Sequence, residues 1–195
     1  MKSNSDILIE FISRYMPLSD EEAAALVDSG IFRTEKKGTV LLREGQYSEE
    51  SFFVLQGCLR SYYIIDGEEK TTAFYTEMEG VSSNCAITRK PSEYYIACLE
   101  DSIISVSNPG MEQDMYKKFP RFETLCRVLS ERFLSDSQRA FDEFKTSSPE
   151  QRYLSLLKHR PDLVQRVPQH QLASYLGITP QSLSRLRARI IQKKK

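Results

Sequence analysis

The sequence predicts an α+β fold: N-terminal helices, a glycine-punctuated set of short strands, one long helix and a C-terminal helix-turn-helix. Three observations predict it. Residues 31–106 carry short stretches rich in β-branched and aromatic residues, separated by Gly38, Gly45, Gly57, Gly67 and Gly80. Residues from Pro120 to about Lys145 carry apolar side chains at helical spacing. The stretch from Pro168 to Ile190, PQHQLASYLGITPQSLSRLRARI, reads as two short amphipathic helices around Gly177.

At the N-terminus, Ile7, Leu8, Phe11, Ile12 and Tyr15 have helical spacing, and Pro17 stops that helix. Ser19 and Glu22 form a capping box for a second helix over 21–29, which Gly30 ends. Strands are expected at 32–35, 39–42, 51–55, 58–65, 71–76, 94–99 and 102–106, enough for a β-sandwich or small barrel. Asp66-Gly67 between Ile65 and Glu68 is a hairpin signal. Asn108-Pro109 caps the next helix, and the long helix follows Pro120. Its stripe is Phe122, Leu125, Leu129, Phe133, Ala140 and Phe144. A solitary helix of this length must bury that stripe, and a second copy is the natural cover. The expected dimer seam is therefore Phe122, Leu125, Leu129, Phe133 and Ala140, with packing on the chain's own β-domain as the alternative. Ser148, Pro149 and Gln151 start a new helix. The expected domains are 1–118, 119–147 and 148–195.

In the C-terminal part, Leu172, Ala173 and Leu176 share one helix face. Gly177 sits where a tight turn needs positive φ. Thr179 can cap the next helix, and Pro180 suits its first position. Leu183, Leu186 and Ile190 then form a buried face, leaving Arg185, Arg187 and Arg189 outside. Such a unit places its second helix in the DNA major groove.

Composition supports a polyanion partner at one end. The net charge of the 195 residues is zero, but 149–195 hold ten basic residues against two acidic ones. The remainder then holds 17 basic and 25 acidic. The four cysteines, Cys58, Cys85, Cys98 and Cys126, have no CxxC spacing, so no metal or iron–sulfur site is expected. No apolar run approaches the roughly 18 residues that span a bilayer, and the start lacks a signal-peptide core. A cytoplasmic location and no membrane partner are expected. GxGxxG and GxxxxGK[ST] are absent, and His159 and His170 form no Ser/His/Asp arrangement, so the chain is not expected to be an enzyme.

The order of elements resembles the Crp/Fnr family of bacterial transcription regulators over nearly the whole chain. The residues that carry the resemblance are Gly38, Glu44-Gly45, Ser51-Phe52-Phe53-Val54-Leu55-Gln56-Gly57 (similar to a Y-x-V-x-x-G strand–loop signature) and the C-terminal LASYLGITPQSLSRL. The resemblance implies a cyclic-nucleotide-binding-like double-stranded β-helix, or jelly roll. It further implies a dimerising helix and a DNA-binding helix-turn-helix, here lacking a long wing.

In cyclic-nucleotide-binding members of that family, a glycine and a glutamate open the phosphate loop, and an arginine with serine or threonine closes it. Here Gly80 matches the opening and Val81 stands in the glutamate's place. Pro91 falls near the arginine position, followed by Ser92, and Glu93 adds a negative charge where a phosphate would sit. Arg89 or Lys90 could substitute if the loop shifts by two residues. The implied effector pocket is Gly80, Val81, Ser82, Ser83, Arg89 and Ser92. Cyclic AMP is not expected, no cofactor is expected, and a different small-molecule effector, or none, remains open. Tyr62, Tyr63, Phe74, Tyr75, Tyr94 and Tyr95 could line an aromatic cavity or be ordinary core.

For DNA, the recognition helix should run from Pro180 to about Gln192, with Gln181, Ser182, Arg185 and Arg189 opposite the buried face. Gln181 can pair with adenine and Arg185 with guanine, while Thr179, Ser182 and Ser184 suit phosphates. The resemblance places a base-reading arginine at Arg185, but Pro180 and Gln181 replace the family's other base-reading residues. The expected function is a homodimeric DNA-binding regulator that could also touch RNA polymerase through its β-roll. The alternative is a small-molecule sensor or interaction module without sequence-specific DNA binding.

Overall fold

The computed structural model describes residues 3–193. Two compact units emerge. Unit 1 joins the chain up to Arg60 with Tyr75–Leu134; unit 2 joins Ser61–Phe74 with the chain from Ser135 onward.

Unit 1 begins with α1 (Asn4–Ser13) and α2 (Asp20–Asp28). Each starts at a serine whose hydroxyl accepts from the third backbone N–H, while that residue's carboxylate accepts from the serine N–H. Ser19 and Glu22 thus form the expected box; Ser3 and Asp6 form a second one. Glu22 is buried and pairs with Arg121 at 3.3 Å.

The strands are β1 (Phe32–Glu35), β2 (Val40–Leu42), β3 (Ser51–Gln56), β4 (Leu59–Ile65), β5 (Glu68–Tyr75), β6 (Gly80–Ser82), β7 (Tyr95–Cys98) and β8 (Ser102–Ser107). They form two four-stranded sheets, ordered β1-β8-β3-β6 and β2-β7-β4-β5. Pairing within the first is antiparallel, with Phe52 opposite both Val106 and Val81. Alternation sends Leu42, Phe52, Val54, Leu59, Val81, Ile96, Cys98, Ile104 and Val106 into one apolar core. Asp66 and Gly67 both have positive φ, as the hairpin signal requires. Strand β6 was not anticipated: three residues are too few to show alternation, and pairing with β3 is what defines it.

Between β6 and β7 lies the single turn α3 (Cys85–Thr88). After β8 come α4 (Pro109–Lys118), capped by Asn108, and α5 (Arg121–Thr146). Part of the expected dimer stripe on α5 is occupied within the chain. Phe122 (4 % exposed) and Leu125 (5 %) pack with Leu8, Phe11, Ile12, Leu26 and Leu55, and Leu129 lies partly buried against the same cluster. The ring of Phe133 lies beside Gly80, whose added Cβ would meet it at 3.4 Å. Helical spacing announces a buried face but not its cover; the chain itself covers Phe122 and Leu125 and leaves Leu129 and Phe133 half-buried. Ala140 is exposed, and Val128, Leu134 (71 % exposed) and Phe141 (56 %) are the large apolar side chains left open on α5 before its last turn.

Unit 2 holds α6 (Pro149–His159), α7 (Pro161–Arg166), α8 (Gln169–Tyr175) and α9 (Pro180–Lys193). The sequence reading passed over α7, whose Pro161 start and buried Leu163 and Val164 are too short a pattern to count. The division between units falls inside α5 and assigns the β4–β5 hairpin to unit 2. Within that unit, Thr71 N donates to Ser174 Oγ at 2.9 Å and Ser174 Oγ donates to Glu69 O at 3.2 Å. The Phe74 and Tyr175 rings meet at 5.2 Å. No sequence pattern announces this long-range pairing.

Cys58, Cys85 and Cys98 are buried free thiols, and Cys126 is half-buried. Burial, reinforced by the charge of Glu35, pushes the Cys98 thiol up to about 11. A folded value above the unfolded one stabilises the fold fully below the unfolded pKa. That stabilisation is lost as pH rises toward 11, where the buried thiol must ionise. In a thiol-disulfide exchange assay at pH 8, Cys126 should react slowly and the other three only after unfolding. Chemical denaturation should show stability falling between about pH 9 and 11, and less steeply for Cys98→Ala. Rapid labelling of Cys98 in the folded protein would contradict this packing.

Candidate nucleic-acid interface

Helix α8, a short turn and α9 form the expected helix-turn-helix. The turn is set by hydrogen bonds within six residues. Gly177 N donates to Ser174 O at 3.0 Å and Ile178 N to Ala173 O at 3.0 Å, the paired bonds of a Schellman stop. That geometry requires φ of +70° at Gly177, which a side chain would oppose. Thr179 Oγ1 then accepts from Ser182 N at 3.2 Å and caps α9, with Pro180 at its first position. Leu172, Ala173, Leu176, Leu183, Leu186 and Ile190 are buried, as their spacing requires.

The outer face of α9 exposes Gln181, Ser184, Arg185 and Arg189. Their local contacts separate them. Arg189 is tied to Glu150 on α6 at 2.6 Å, and Arg187 to Gln169. Ser182 is half-buried, receiving the Thr179 hydroxyl proton at 3.0 Å. Thr179 and Ser182 are thus engaged in the cap before any phosphate is considered. Arg185 reaches only Ser182 Oγ, at 3.4 Å, among the described residues. Arg189 lies on the outer face, as its spacing requires, and the Glu150 carboxylate on the neighbouring helix holds it there. A cleft of about 480 Å³ lies beside α9, lined by Pro149, Ile178, Ser182, Arg185, Leu186 and Arg189.

The expected effector residues are held largely by neighbours within the β-roll. Gly80 and Val81 sit on β6, and Val81 joins the apolar core. Ser82 Oγ accepts from Ser51 Oγ at 2.9 Å. Ser83 Oγ accepts from Cys85 N at 3.1 Å, and buried Ser92 donates through Oγ to Tyr94 O at 2.8 Å. Arg89 is exposed in a left-handed conformation that ends α3. The shallow cavity of about 250 Å³ at this loop is lined instead by Asn84, Thr88, Lys90, Pro91 and Glu93. The Ser83 and Ser92 hydroxyls are engaged in local turns, and the Ser82 hydroxyl in a cross-strand bond to Ser51. The aromatic set disperses too: Tyr75 and Tyr94 pack on the core, and Phe74 meets Tyr175.

Sequence reading missed two arginines that the structure singles out. Arg60 is buried on β4 at 3 % exposure. Arg152 bonds the ends of α5 and α8. Both lie in otherwise ordinary strand or helix patterns, where no local signal marks them. Among the described residues there is no group of three or more metal-ligating side chains, and no helix is long and apolar enough to cross a membrane.

Residues 32–112 match the family model of the cyclic nucleotide-binding domain. No curated protein matches the chain. Among solved structures, the chain is similar to the c-di-GMP-responsive global regulator CLP of Xanthomonas campestris (TM-score 0.69, 16 % identity, 90 % of this chain and 93 % of that one). It is similar to a CooA mutant from Carboxydothermus hydrogenoformans (TM-score 0.67, 16 % identity, 95 % and 84 %). It also resembles a regulator of the Crp/Fnr family from Eubacterium rectale (TM-score 0.67, 19 % identity, 92 % and 86 %). The fold is that of these solved structures, with the segment that matches the cyclic nucleotide-binding domain followed by a helix-turn-helix.

Proposed function

We propose that the chain is a homodimeric transcription regulator that reads double-stranded DNA through α9, with Arg185 as its principal base-reading residue. The observation that carries this reading is the α8–turn–α9 unit, which exposes Gln181 and Arg185 opposite a fully buried apolar face. The charge excess of 149–195 supports it, because phosphate attraction supplies most of the affinity at the encounter stage. Mobility shift with mixed duplex fragments at 50 and 200 mM salt tests it. Phosphate contacts by several cations give a loss on the order of a hundredfold or more between these conditions. Absence of any shift at the lower salt would sink the reading. The tying-down of Arg187 and Arg189 favours the alternative, a sensor without sequence-specific DNA binding, and competition between a selected and a random duplex separates the two.

The homodimer would use the open face of α5 around Val128, Leu134 and Phe141 in place of the residues spent on the core. Exposed parts of the β-roll are the candidate contact for RNA polymerase.

The β-roll is a sensor domain whose effector is a small molecule other than cyclic AMP. Nine buried apolar residues fill the core between its strands, and Glu93 borders the loop cavity. A cyclic phosphate there would meet Glu93 beside Lys90, without the bidentate arginine fork that suits a phosphate. Isothermal titration with cyclic AMP should show no binding at micromolar concentrations of protein and ligand; a micromolar Kd would overturn this assignment.

A further inference from the structure

We propose that Arg152 is a positioning residue, a single guanidinium that locks the helix-turn-helix onto the last turn of α5. The inference rests on the DNA-reading function above and names the joint that function needs.

The last carbonyls of any helix lack intrahelical donors and carry partial negative charge. Two such ends meet in unit 2, the end of α5 and the end of α8. Arg152, in the first turn of α6, serves both. Its Nη1 donates to Phe144 O at 3.0 Å and to Ser147 O at 2.6 Å. Its Nη2 donates to Leu176 O at 2.8 Å, the carbonyl immediately before the Gly177 turn. The guanidinium also lies over the Phe144 ring, 4.3 Å from its centroid. The ring also closes on the turn: a Cβ at Gly177 would lie 3.2 Å from Phe144 Cζ and 3.7 Å from Arg152 Nη2. Phe144, Arg152 and the turn that aims α9 thus meet at one point.

The chemistry is specific to arginine. Three carbonyls in two directions need a planar fork of donors, which an ammonium on a flexible stem does not supply. The fork is aimed at the expense of its own Nε, which is buried without a hydrogen-bond partner. An orphaned buried donor is a cost that the joint tolerates for its geometry. A dimer reading two half-sites must hold its two recognition helices about 34 Å apart. Angular play at the end of α5 would spoil that spacing while leaving each recognition helix intact. Arg152 therefore governs the geometry of two-site reading rather than the contact with any one base.

The test has two arms. Spin labels at Ser137→Cys on α5 and Ala188→Cys on α9, in a Cys126→Ser background and diluted with unlabelled chain, report the α5–α9 distance by double electron–electron resonance. A single narrow distribution is expected in the parent. A clearly broader one is expected in Arg152→Met and in Phe144→Leu, and an intermediate one in Arg152→Lys, with helical content unchanged. A narrow distribution in Arg152→Met would overturn the proposal, and this arm needs no DNA. The second arm uses the duplex that the unmodified protein enriches from a random pool, whole and cut to one half-site. Arg152→Met should lose about tenfold on the two-half-site duplex and retain its affinity for the single half-site. Equal loss on both would overturn the joint. Failure of the unmodified protein to enrich any duplex would sink the functional reading, leaving the joint to be judged by the spectroscopic distances.

Discussion

Arg185→Ala should lower affinity for the enriched duplex by about 1–3 kcal/mol and relax preference at one base pair. The effect is that large because a bidentate arginine–guanine pair replaces two hydrogen bonds to water with two fixed ones, and the mutant leaves the guanine edge unpaired. The structure sharpens this expectation. Arg185 contacts only a hydroxyl of its own helix among the described residues, so removing it costs the fold little. Arg189, held by Glu150, behaves differently. Arg189→Ala should alter binding less at the base level and cost only the small stability of an exposed ion pair, on the order of 0–1 kcal/mol. Competition binding against the enriched and random duplexes gives the ratio. An unchanged ratio for Arg185→Ala would remove Arg185 from base reading.

Gly57→Ala should destabilise unit 1 by about 3 kcal/mol or more. Gly57 ends the strand β3 segment with φ of +103°, outside even the left-handed helical region. A Cβ there would lie 2.4 Å from Ser102 Oγ and 2.8 Å from Ser102 Cα. The hydroxyl could rotate away, but the backbone atom cannot, so β8 must move. Gly38→Ala provides the contrast. Its φ is +86°, yet nothing lies within 4 Å of the added carbon. That variant should lose only the conformational cost, on the order of 1–2 kcal/mol. Urea denaturation compares the two. Equal midpoints would show that the Ser102 contact carries no weight.

What was legible in the sequence follows a physical line. The Gly177–Thr179–Pro180 turn was readable because its hydrogen bonds close within a few residues, and each residue type has one local job there. The capping boxes at Ser19 and Ser148 were readable for the same reason. The inward face of α5 was readable as buried, but not its partner. Phe122 and Leu125 meet α1 and α2, more than ninety residues earlier in the chain, and periodicity carries no information about that distance. The loop around Gly80–Ser92 is singled out only by resemblance, and no local pattern shows that Ser83 and Ser92 turn their hydroxyls to backbone atoms within two residues. Arg152 was counted only as one of ten C-terminal charges. Its role appears when Phe144 and Leu176, on opposite sides of it in sequence, converge on one guanidinium.

The decisive measurement is selection of duplexes from a random pool by the purified 195-residue chain, followed by sequencing of the bound fraction. Enrichment of a two-fold symmetric site, its halves about 10–10.5 base pairs apart and each holding a guanine lost on Arg185→Ala, is the outcome expected of two chains presenting α9. A bound pool with the same sequence statistics as the starting pool would contradict it.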